Sequence, residues 1–278
     1  MKKTEFVRDW ICNGQPVTLP HDAMIHENRK PDAPGSSGHA YFPGGVYTYE
    51  KKFDVTAEQV GKPMLLHFEG VYRNSVVTVN GLEAGGCTYG YIPFTVELTK
   101  LVHAGENTVS VRVDNSQLPN SRWYSGSGIY RPVWLVTAEE DHIAFEGVKV
   151  DTVSIDPAKI RVRTEIVGSG DIAIEIKDAQ DRTVAEDQGA DAALEIRNGK
   201  LWSAETPNLY TAHVTLKKDG KIVDEETVAF GIRQIAWSNQ GLFINGENTL
   251  LRGGCIHHDN GILGAATYDE SEYRRWKL

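Results

Sequence analysis

An all-β fold of two successive β-sandwiches, followed by the opening of a βα unit, is what this sequence predicts. Three observations carry it. Short runs of alternating apolar and polar residues recur between Gly, Asn and Asp turns. Two of the Asn-Gly dipeptides, Asn80-Gly81 and Asn245-Gly246, follow apolar runs and give the strongest short hairpin signal. No amphipathic helical period shows before residue 140.

The elements follow in order. Residues 46–55, 64–69, 75–79, 108–113 and 133–137 read as strands of the first sandwich, the third running directly into Asn80-Gly81. The stretch 31–38 is turn-rich and is expected to be the most mobile part of that domain. Near Glu139-Glu140-Asp141 the texture shifts to higher charge and fewer aromatics. Strands at 143–150, 159–167, 172–177, 194–196, 210–217 and 222–230 then give the size and spacing of an immunoglobulin-like sandwich. The Cys…Trp…Cys pattern is missing, so the likeness is one of shape. From Trp237 the pattern changes again. Residues 242–244 meet Asn245-Gly246, 248–252 return as a strand, and Thr267-Tyr268-Asp269-Glu270 has capping-box spacing ahead of a helix-permissive stretch. Strand, loop and helix start in that order open a βα unit.

Bulk properties exclude several function classes. A net charge of −9, with no clustered Lys/Arg face, leaves nothing to neutralise phosphates, so a nucleic-acid partner is not expected. An anionic membrane surface is disfavoured for the same reason, and no apolar run is long enough to span a bilayer. The acidic balance fits a neutral substrate better than a polyanion. Cys12, Cys87 and Cys255 lie far apart and form neither a disulfide framework nor a CxxC zinc site. With no Asn-x-Ser/Thr acceptor and no apolar leader segment, the expectation is a cytoplasmic protein.

Two constellations could carry chemistry. Leu251-Arg252-Gly253-Gly254-Cys255-Ile256-His257-His258-Asp259 places two imidazoles and a carboxylate after an apolar run and a Gly-Gly turn. His257, His258 and Asp259 alternate sides if extended, so one metal ion would need ligands from elsewhere. The same residues also fit a hydrogen-bonded loop. Arg122-Trp123-Tyr124-Ser125-Gly126-Ser127-Gly128-Ile129-Tyr130-Arg131 offers flat aromatic faces suited to sugar C–H faces and guanidinium groups suited to hydroxyls. Those aromatics equally fit a packed core. Leu19-Pro20-His21-Asp22-Ala23 reads as a structural turn. No Gly-x-Ser-x-Gly elbow, Walker loop or HExxH is present.

Taken in order, these pieces resemble the N-terminal part of glycoside hydrolase family 2, the β-galactosidase and β-glucuronidase group. The likeness rests on Leu19-Pro20-His21-Asp22-Ala23, Tyr41-Phe42-Pro43-Gly44-Gly45-Val46-Tyr47, Phe68-Glu69-Gly70-Val71, Val79-Asn80-Gly81, Gly90-Tyr91-Ile92-Pro93-Phe94, residues 122–131, and Phe230-Gly231-Ile232-Arg233. The resemblance implies a sugar-binding jelly-roll domain over 1–138 and an immunoglobulin-like β-sandwich over 139–236. Over 237–278 it implies the first strand, loop and helix start of a (β/α)8 TIM barrel.

It further implies retaining hydrolysis of a β-glycosidic bond, with a β-galactoside or related oligosaccharide as substrate. That chemistry needs two carboxyl groups about 5–5.5 Å apart. The family's acid/base Glu usually follows Asn, and no Asn-Glu dipeptide occurs. A barrel takes about 250 residues, so the chain reads as truncated and is expected to be inactive alone. His257, His258 and Asp259, with Arg122, Trp123 and Tyr124, are the substrate-contact residues that the resemblance carries over. No cofactor is expected in this chain, although the parent family uses magnesium or sodium. Where some relatives hold sodium with a carboxylate, this chain has Arg122. The family often forms homo-oligomers.

Overall fold

A computed structural model describes residues 1–257 and 259–277. The chain divides into two compact units, one of Lys2–Thr137 with Gly254 onward, the other centred on Ala138–Gly253.

The first unit is an antiparallel sandwich. One sheet has six strands in the order Gln15–Val17, Trp10–Cys12, Val46–Val55, Gly105–Asp114, Ser75–Val79 and Leu82–Cys87. The other has four, in the order Lys2–Glu5, Val133–Thr137, Met64–Phe68 and Phe94–Glu97. Alternation drives the assembly. In Gly105–Asp114 the residues Asn107, Val109, Val111 and Val113 point inward, and their neighbours are more exposed. Trp10, Tyr49, Leu66, Phe68, Val77 and Val111 from both sheets meet in one core. The Asn80-Gly81 turn has φ of 51° and 82°, the positive pair that a tight hairpin requires.

The second unit is also as expected, a three-plus-four sandwich. Its sheets are His142–Ile155, Ala158–Val167 and Asp191–Glu195, and Thr183–Gln188, Asp171–Lys177, Tyr210–Lys218 and Lys221–Phe230. Ile143, Ile160, Val162, Ile174, Ala212 and Val214 fill its interior.

Ile235–Ser238, Gly241–Ile244 and Glu247–Thr249 form a small antiparallel sheet of their own. This sheet is tied to the second unit, where Asn245 Nδ2 donates to the Trp202 carbonyl at 3.0 Å. The strand expected at 248–252 is paired only as far as Thr249, within Glu247–Thr249. A strand needs a hydrogen-bonding neighbour, and no described segment pairs with residues 250–252. Residues 259–268 fold back on the first sandwich, and a helix follows at Asp269–Lys277. Asp269, Glu270 and Glu272 lie in its first turn and Arg274, Arg275 and Lys277 in its last, matching the helix dipole. Among the described residues no helix is long and apolar enough to cross a membrane.

Candidate functional site

The site grows from the loop after the long inner strand Gly105–Asp114. Ser125, Ser127, Ile129 and Tyr130 are buried. Asn115 holds them in place, its Nδ2 donating to the Gly126 carbonyl at 3.0 Å and to Ser127 Oγ at 2.7 Å. Tyr72 and Gly128 exchange backbone hydrogen bonds at 2.9 and 2.8 Å. The loop base is therefore rigid, and Arg122, Trp123 and Tyr124 are carried at its rim.

The Leu19-Pro20-His21-Asp22-Ala23 turn packs beneath. The His21 and Ala23 amides donate to the Ile129 and Ser127 carbonyls at 2.8 and 2.7 Å. His21 Nδ1 lies 2.8 Å from the Tyr49 hydroxyl. Burial, helped by the adjacent His26 ring, pushes the His21 pKa down to about 4 from an ordinary 6.5. A neutral native imidazole has a definite pH signature. Below about pH 6.5 the unfolded chain takes up a proton that the folded chain refuses until about pH 4. Stability from His21 is thus complete above pH 6.5 and falls as pH drops toward 4. Because the ring is partly solvent-exposed, the loss is screened to about 1–2 kcal/mol. Urea unfolding at pH 7 and pH 5 checks this, since His21→Gln should flatten the pH dependence relative to the parent chain. Asp22 acts in the opposite sense, because burial raises its pKa and ionisation costs the fold as pH rises.

The third wall comes from His257 and residues 259–264. Trp123 stacks on His257, with ring centroids 4.9 Å apart and planes at 25°. Its indole N–H donates to the Tyr91 hydroxyl at 3.0 Å, and burial pushes the Tyr91 pKa up to about 12. The Tyr124 hydroxyl donates to Asp22 Oδ2 at 2.6 Å, and burial lifts its pKa far above the ordinary range. Asp259 Oδ1 caps the following turn by accepting from the Gly261 amide at 3.3 Å. The Arg275 guanidinium donates to the His257 carbonyl at 3.2 Å, so the terminal helix helps to hold that segment.

Between these walls lies a cleft of about 690 Å³, within the usual size of small-molecule sites. Arg122, Trp123, Tyr124, His257 and Asp259 all line it, together with Arg29, Phe42, Ser37 and Gly38. Five of the six residues singled out from sequence thus converge; the sixth, His258, lies outside the described residues. Arg29 and Phe42 were not singled out. They come from elsewhere in the chain, and the Arg29 guanidinium lies 5.1 Å from the Phe42 ring centroid. Only the Phe42 aromatic in the Tyr41-Phe42-Pro43-Gly44-Gly45 turn could have hinted at them.

The lining contains one carboxylate, Asp259. Among the described residues no three His, Cys, Asp or Glu side chains converge to hold a metal ion. The aromatic faces of Trp123 and Phe42 and the guanidinium groups of Arg29 and Arg122 share this lining.

Sequence profiles of two domains match in series. "Glycosyl hydrolases family 2, sugar binding domain" matches residues 32–139, and "Glycosyl hydrolases family 2" matches residues 134–233. A β-galactosidase of Bacteroides ovatus, BoGH2A, is 37% identical over 271 residues, covering 90% of this chain and 32% of that protein. A putative β-glucuronidase of Formosa agariphila is 34% identical over 94% of this chain and 26% of its own length. Among solved structures, a glycosyl hydrolase family 2 member from Bacteroides cellulosilyticus superposes with a TM-score of 0.89 at 31% identity, covering 100% of this chain and 41% of that one. A β-glycosidase from Bacteroides vulgatus gives 0.88 at 28% identity, covering 40% of that chain. The chain thus spans about a third or less of the length of these curated relatives.

Proposed function

Because the chain belongs to glycosyl hydrolase family 2, we propose that its cleft forms part of the sugar subsite of a retaining β-glycosidase of β-galactosidase type. The observation that carries this is the convergence of Trp123, Tyr124 and Arg122 with His257 and Asp259 around one cleft of about 690 Å³. Trp123 and Tyr124 would pack against sugar C–H faces. Arg122 and His257 would donate to ring hydroxyls, and Asp259 would accept from one.

The chemistry sets a limit on what this chain does alone. Retaining hydrolysis needs a protonated carboxyl on the leaving oxygen and a second carboxylate about 5–5.5 Å away as nucleophile. Asp259 is a single carboxylate, and the lining offers it no carboxyl partner. The buried Asp22 carboxylate is occupied by four hydrogen-bond donors. The chain by itself therefore binds without cleaving. Incubation with an aryl β-galactoside should give no release of the aryl group, and turnover by the purified chain would refute this. Calorimetric titration with galactose should show binding in the millimolar range, as expected of an open site that leaves much of the sugar in water. Trp123→Ala should abolish that binding.

One observation favours a second reading, a β-glucuronidase. Arg29 and Arg122 both line the cleft, and neither makes an ion pair with a described carboxylate. Two such guanidinium groups suit a uronic-acid carboxylate. Glucuronate binding at least tenfold tighter than galactose, with a steep loss in salt, would move the assignment to that reading. Three unpaired cysteines fit the reducing environment of the cytoplasm, and oligomer contacts of the sandwiches belong to the same proposal.

A further inference from the structure

One buried side chain holds two walls of the cleft in register, although it does not line the cleft itself. The Asp22 carboxylate is 1% exposed. Its Oδ1 accepts from the Met24 and Ser127 amides, each at 3.0 Å. Its Oδ2 accepts from the Tyr124 hydroxyl at 2.6 Å and from the Ala265 amide at 2.8 Å. These donors come from three separate places: its own turn, the 122–131 loop and the segment after Gly264.

Two glycines are shaped around the same carboxylate. Gly126 has φ of +66°, and a Cβ there would lie 2.7 Å from Asp22 Oδ2 and 2.4 Å from the Ala265 Cβ. Gly264 has φ of +62°, and its Cβ would lie 2.2 Å from Asp22 Oδ2. Both backbones approach the carboxylate more closely than any other residue type permits.

We infer that Asp22 is a positioning residue of the cleft. It clamps the Tyr124-bearing loop to the segment that follows His257 and Asp259. The two oxygens accept four donors, which is the pattern that an ionised carboxylate satisfies and an amide does not. The bond also fixes what Tyr124 presents. Its hydroxyl proton is committed to Asp22, so toward the cleft it offers a ring face and an acceptor lone pair. A ligand group meeting that oxygen must donate, as a sugar hydroxyl does.

The test has two arms, and only the second rests on the sugar-subsite reading. In the first, Asp22→Asn is compared with the parent by amide hydrogen exchange. Asparagine has one acceptor oxygen and turns an NH2 group toward two donors. Whichever oxygen is replaced, either the Ala265 amide or the Ser127 amide loses its acceptor, and that amide should exchange at least about tenfold faster, while those of Val109, Val111 and Val113 stay protected. Unchanged protection of both Ala265 and Ser127 in the folded variant overturns the inference. Should Asp22→Asn lose the core protection as well, Gly264→Ala decides. It should free Ala265 by pushing the segment off the carboxylate with the core intact, and Ala265 protection equal to the parent's overturns the clamp.

The second arm is a double-mutant cycle on galactose affinity with Asp22→Asn and Tyr124→Phe. If Asp22 acts through Tyr124, the Asp22→Asn loss should shrink by at least about fivefold in the Tyr124→Phe background. Additive losses would mean general loosening and would overturn the positioning role. Absence of sugar binding by the parent would fail the subsite reading alone, leaving the exchange result to judge the clamp.

Discussion

Replacing Gly128 with alanine is expected to cost the first sandwich about 3–5 kcal/mol, from positive-φ strain together with a core collision. Gly128 sits at φ of +130°. A Cβ there would lie 2.1 Å from the Tyr49 hydroxyl and 2.9 Å from the His21 carbonyl. Neither can retreat cheaply, because Tyr49 is fully buried and the His21 backbone is bonded to Ile129. The clash would also break the contact between Tyr49 and the His21 ring. Urea unfolding followed through amide signals of the first sandwich measures the loss. A cost under about 1 kcal/mol would show that the loop base tolerates a side chain and that the positive φ is not a requirement.

Trp10→Ala should have an effect of similar size, about 3–5 kcal/mol, through a different route. The Trp10 side chain is completely buried, meets Phe6 edge-on at 5.8 Å and donates its indole N–H to the Phe6 carbonyl at 2.8 Å. Truncation leaves a cavity and an unpaired carbonyl together. Trp10 lies on the short strand Trp10–Cys12 and is not among the residues that line the cleft. Galactose affinity of the fraction that remains folded should therefore be unchanged. A change in affinity matching the change in stability would show that the cleft and the core are not independent.

Local features announced most of the fold. Alternation in Gly105–Asp114 and Ala158–Val167 and the Asn80-Gly81 and Asn245-Gly246 turns report interactions between near neighbours, which a sequence displays openly. The strand Thr183–Gln188 was not visible. It is the edge of its sheet, and Glu186, Asp187 and Gln188 are exposed, so its pattern is that of a polar loop. The strand read at 248–252 is shorter, ending at Thr249, because strand formation needs a partner edge as well as propensity. For the site, the aromatic loop and His257 stood out by composition. Asp22 did not, because its bonding partners lie 102, 105 and 243 residues away. A lone aspartate in a Pro-His-Asp turn carries no trace of such distances.

The split of the first unit between Lys2–Thr137 and the stretch from Gly254 has a temporal consequence. On the ribosome, Asp22 is made 243 residues before the Ala265 amide that completes its coordination. At the usual pace of about 5–20 residues per second, the early sandwich waits for tens of seconds with one donor missing. Throughout that interval the cleft lacks the wall carrying His257. That wall is therefore completed only when the whole intervening domain has been synthesised.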